Sequence, residues 1–174
     1  MRKFLALIGL VGILAGAGAA VFFFGGFFNV GTTAYEPPLM REALIAVRMA
    51  SVRRHATDTP PAGLDAPATV QAGARAFFQR GCVNCHGGPG VEWAKFSEGL
   101  KPDPADLKEV VKDRTPAQLF WVIKNGINMT GMPGFGEAGD PELWNIVAFL
   151  MKQPTVSDED FKAWSGAGAA AAKP

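Results

Sequence analysis

Cys82-Val83-Asn84-Cys85-His86 places both cysteines of the chain and one of its two histidines in five consecutive positions. Two cysteines cannot frame a chain of 174 residues, so their spacing matters more than their number. A disulfide across two intervening residues would staple very little chain. A tetrahedral zinc site needs four ligands, and almost no Cys or His is left elsewhere to supply them. A thioredoxin-type C-x-x-C follows a strand in a βαβ unit, and no segment here alternates well enough to be a strand. What remains is the attachment sequence for c-type haem. Two thiols one helical turn apart add to the vinyl groups as thioethers, and the adjacent His86 ligates the iron from the proximal side.

Working outward, the second axial ligand has few sources. Met1, Met40 and Met49 lie before the domain, and Met151 falls on the apolar side of the last helix, where core packing is the expectation. That leaves Met129 and Met132 in Asn128-Met129-Thr130-Gly131-Met132-Pro133-Gly134. Pro133 biases Met132 toward an extended backbone, and an extended loop can aim a thioether at iron. Met132 is therefore the first choice and Met129 the second. His55 lies before the domain and reads as a solvated or interface histidine. Apolar periodicity predicts helices over 70–80, 106–112, 116–125, 141–153 and 157–164. The expected domain, 68–164, is all-α with long loops, followed by a low-complexity tail, 165–174.

These residues resemble the class I cytochromes c, in particular small membrane-anchored monohaem cytochromes of bacterial respiratory and dehydrogenase chains. The resemblance rests on GCVNCHGGPG (81–90), PADL (104–107), LFWVIKNGINMTGMPGFG (119–136) and ELWNIVAFL (142–150). It implies one covalent haem c, with Cys82 and Cys85 as thioethers and His86 and Met132 on the iron. It also implies that the helix before the motif crosses the last helix, bringing Gly73 and Phe77 near Trp144 and Ala148. A backbone carbonyl just before Leu107 is expected to orient the His86 ring. The proline usual two places before that leucine is Ala105 here, leaving open which carbonyl serves. A basic residue common before the first Met of the loop is Asn128 here, which weakens a positive docking rim. Trp121 is the aromatic suited to a haem propionate.

Upstream, Arg2 and Lys3 precede a run from Phe4 to Val30 without an ionisable side chain. Such a run spans a hydrocarbon core of about 30 Å as a helix. Ala15-Gly16-Ala17 resembles a signal cleavage site, but the apolar run continues far beyond a signal's length, which favours a retained anchor over 1–31. Basic residues before the run and none again until Arg41 place the remainder on the periplasmic side of the bacterial inner membrane. Pro37-Pro38 is expected to end this helix. Residues 32–67 then read as an amphipathic helix, 39–56, and a Pro-rich linker. That helix has three open readings: lying on the membrane surface, packing on a partner subunit, or a linker whose charges are merely solvated.

Seventeen Lys and Arg against sixteen Asp and Glu exclude the basic footprint of a nucleic-acid binder. With both axial positions filled, the iron has no open site for a small-molecule substrate, so the expectation is an electron carrier and not an enzyme. Its partners would be the membrane and redox proteins such as a quinol-oxidising complex, a dehydrogenase or a terminal oxidase. The alternative is a permanent haem c subunit of a membrane oxidoreductase complex.

Overall fold

The computed structural model describes residues 1–167, and among these no strand forms. Contacts divide the chain after Pro37. The first unit holds α1 (Arg2–Phe24), which has no buried residue and is long and apolar enough to cross a membrane. Its end differs from expectation. α1 stops at Gly25, whose N–H still reaches the Val21 carbonyl at 2.8 Å, and the chain reverses through Gly26 at φ 80°. Phe28 then folds back on Phe22 and Phe23, with ring centroids 6.2 and 5.3 Å apart. Pro38 does not terminate α1; it opens the next helix, where its missing N–H costs nothing.

The second unit contains α2 (Pro38–His55), α3 (Pro67–Gln79), α4 (Val83–His86), α5 (Leu107–Val110), α6 (Pro116–Asn125), α7 (Asp140–Lys152) and α8 (Asp158–Ser165). Its centre is the crossing of α3 and α7. Gly73 makes the crossing possible: a Cβ there would fall on the backbone carbonyl of Asn145 and against Phe149. The crossing partners are thus Asn145 and Phe149, one residue beyond the expected Trp144 and Ala148. With the helices this close, Phe77 meets Phe149 at 5.3 Å, and Phe161 of α8 closes the cluster at 5.3 Å from Phe149. All three rings are almost wholly buried, each contributing about 1.5–3 kcal/mol through transfer from water.

α6 starts with a capping box, Thr115 and Gln118 satisfying each other's backbone N–H groups. It joins the core through Phe120, stacked on Trp144 with centroids 4.1 Å apart. Met151 departs from its expected core position. The buried set of α7 ends at Leu150, and Met151 lies 36 % exposed beside Pro61 and Leu64 in a shallow groove. At the other end of the chain, Ser165 and Ala167 are buried where a flexible tail was expected to begin. Residues 168–174 of that tail lie outside the described residues.

Candidate functional site

The cysteine segment is launched by the end of α3. Gly81, at φ 75°, sends its N–H to the Phe78 carbonyl, and Cys82 sends its N–H to the Phe77 carbonyl. This pair of bonds is the Schellman arrangement, and the left-handed backbone it needs favours glycine before the first cysteine. Cys82 then starts a new turn, with His86 N–H donating to the Cys82 carbonyl at 3.0 Å. Val83 in the same turn is buried in the core, which leaves Cys82, Cys85 and His86 half-buried.

Neither cysteine is in a disulfide. Burial pushes the Cys82 thiol up to about 11, with the neighbouring Cys85 adding to the shift and Arg80 opposing it. Such surroundings disfavour a thiolate and accommodate an uncharged sulfur. Among the described residues, no group of three or more His, Cys, Asp or Glu converges as a metal cage, which argues against zinc held by these cysteines.

His86 Nδ1 lies 2.9 Å from the carbonyl of Ala105 and donates its hydrogen there, leaving Nε2 as the basic nitrogen. The carbonyl left open by the sequence is therefore that of Ala105, two residues before Leu107. Asp106 follows as the cap of α5 and accepts the Lys108 N–H at 2.9 Å, holding this segment in place.

The methionine loop folds back over the end of α6. Ile127 N–H reaches the Met132 carbonyl at 3.1 Å, Thr130 Oγ1 accepts the Met132 N–H at 3.1 Å, and Phe135 N–H returns to the Ile123 carbonyl. Gly126 permits the fold: a Cβ there would sit 2.6 Å from the Pro133 backbone. Met132 is half-buried inside this double-back, whereas Met129 is 92 % exposed at a positive φ of 58°. Leu100, after the 3-10 turn Lys95–Gly99, packs against Gly131 from the other side.

Trp121 has one ring face stacked on His55 of α2, with centroids 5.9 Å apart. This contact was not anticipated, and only the position of His55 at the end of a helix hinted at an interface. Lys124, one turn on, pairs with Asp140 at 2.8 Å. That hydrogen bond is the main cause of its raised pKa, with the Asp58 carboxylate also contributing.

The model of the family described as cytochrome C oxidase, cbb3-type, subunit III matches residues 68–150. The matched segment is a c-type cytochrome domain. No curated protein and no solved structure matches the chain. The matched span runs from the first turn of α3 to the end of α7's buried set, and so takes in the cysteine turn, Ala105 and the methionine loop of the cytochrome. Cytochromes c carry haem c, and the donor set fits it: two unpaired thiols on one turn, an imidazole with Nε2 left as its acceptor, and a thioether on a braced loop.

Proposed function

We propose that this protein is a membrane-tethered monohaem cytochrome that passes single electrons between redox partners on the periplasmic side of the bacterial inner membrane. The carrying observation is the His86 ring, whose Nδ1–H is committed to Ala105 while the two half-buried thiols lie on the same turn. Bound haem c supplies a one-electron ferric/ferrous couple. Cys82 and Cys85 would hold it covalently, so that the group would stay when partners dissociate. His86 would supply an iron ligand, its ring fixed by the Ala105 carbonyl. Met132 would hold the iron through its thioether, with Met129 the second choice, and a thioether paired with an imidazole would favour the ferrous state. Trp121 offers its indole edge to a propionate.

In this reading 1–31 is the anchor, 32–67 the connecting helix and linker, 68–164 the cytochrome domain and 165–174 the tail. The anchor confines the domain to a thin layer above the bilayer, raising its effective concentration for membrane partners. Those partners are redox proteins such as a quinol-oxidising complex, a dehydrogenase or a terminal oxidase. With His86 and Met132 both committed to the iron, the protein itself would turn over no substrate. Carbon monoxide offered to the reduced protein should bind slowly or not at all; rapid binding would mean an open iron and a ligand-binding role.

A second reading is favoured by the matched family, whose description is that of an oxidase subunit. Here the chain is a permanent haem c subunit of a membrane oxidoreductase. Extraction in mild detergent separates the two: a stoichiometric assembly that survives high salt supports the subunit, and a free monohaem protein supports the carrier.

A further inference from the structure

Helix α2 is apolar on two faces, and the fold covers one of them. Ile45, Met49 and Val52, at spacings of four and three, turn toward the domain; Val52 is 2 % exposed, and His55 stacks on Trp121. The opposite face carries Leu39, Ala43, Val47 and Ala50 at helical spacing, with Met40 and Leu44 beside them, all exposed. Leu39, Leu44 and Val47 are 83, 57 and 68 % exposed, an apolar strip of the kind that a helix normally turns toward an apolar neighbour.

Two observations say what covers this face. The first is charge: α2 carries Arg41, Arg48, Arg53 and Arg54 against the single carboxylate Glu42, and none of the four arginines is in an ion pair among the described residues. The second is chain length. Only the thirteen residues Gly25–Pro37 separate the end of α1 from the start of α2, a reach of at most roughly 45 Å. A bilayer holding α1 is therefore always within range of α2. Its anionic headgroups match the arginines, and its acyl boundary matches the apolar face.

We infer that the outward face of α2 lies in the interface of the anionic bilayer that α1 spans, with Leu39, Leu44 and Val47 at the acyl boundary and Arg53 and Arg54 at headgroup level. This rests on the membrane-tethered reading. Through the His55–Trp121 stack α2 is joined to α6, the helix leading into the methionine loop. A seated α2 thus sets which side of the cytochrome faces the membrane, and with it the distance of the haem from partners in the bilayer.

The test uses the full haem-loaded chain in vesicles of zwitterionic phospholipid with and without phosphatidylglycerol. A nitroxide is placed on Val47→Cys or, as control, on Lys112→Cys, and its accessibility to oxygen and to a water-soluble nickel chelate is compared. The expected result is an oxygen-to-nickel ratio several-fold higher at 47 than at 112, falling when phosphatidylglycerol is omitted. Equal ratios at the two positions, with the protein still resistant to carbonate extraction, overturn the seating of α2 and leave the tether intact. Carbonate extraction of the protein itself overturns the tether. A label at 47 closed to both reagents means that another protein covers this face, and it overturns the proposal too. A high ratio indifferent to phosphatidylglycerol overturns the role given to the arginines.

Discussion

The Cys82–His86 turn and the Met132 loop are held by different physics. The turn is local: a Schellman stop at Gly81 launches it, helical bonds space its donors, and one carbonyl, from Ala105, orients the ring. The loop is a double-back of thirteen residues from Ile123 to Phe135, held by contacts at Gly126 and by two bonds across the bend: Ile127 N–H to the Met132 carbonyl five positions on, and Phe135 N–H to the Ile123 carbonyl twelve positions back. A local site keeps its geometry when the rest of the domain breathes. A site built on a closed loop opens when the closure weakens, so the methionine side is expected to be the labile one.

The comparison breaks first at the cysteines. Replacing both by serine should abolish haem that survives denaturing electrophoresis, read by haem stain, whereas no change in the loop should do so. Met132→Ala should keep covalent haem but lose the weak sulfur-to-iron charge-transfer band and lower the reduction potential. Retention of the band there, with its loss in Met129→Ala, would reverse the assignment. Gly73→Ala acts beneath both segments by forcing α3 from α7. Overpacking against backbone should cost about 3 kcal/mol, or roughly 10 °C in the thermal midpoint of the haem-loaded protein. The smallest effect concerns the haem-free chain. Burial raises the Cys82 thiol from 9.0 to about 11, so its thiolate fraction at pH 8 is about a hundredfold below that of an ordinary thiol. Its alkylation rate should keep rising until about pH 11, because the raised value keeps the proton on longer. A plateau near pH 9 would show that the cysteine turn is open to water without its haem.

How far the sequence was legible follows the same division. The helical turn that carries Cys82, Cys85 and His86 was readable from their spacing, and the haem attachment proposed there rests on the same residue types. Helices α3, α6 and α7 were readable from apolar periodicity, and the approach at Gly73 from the resemblance. The orienting carbonyl was not, since every residue carries one and only the path of the chain brings that of Ala105 to His86. The end of α1 was misplaced because Pro37-Pro38 is the louder stop signal, yet Gly25 and Gly26 come first and the Phe28 ring folds back on the helix. Met151 was misplaced because periodicity gives a face and not where that face runs out of neighbours.

By itself, then, the sequence determined the residue types and spacing at Cys82, Cys85 and His86, the all-helical class and the apolar segment at the start, since each rests on composition or on spacing within a few turns. The tertiary structure alone decided that α2 shares a compact unit with the cytochrome and leans on it through Val52 and the His55–Trp121 stack. The reason is range. An apolar residue announces that it will be covered, but its partner, here on a helix more than sixty positions away, is chosen by packing.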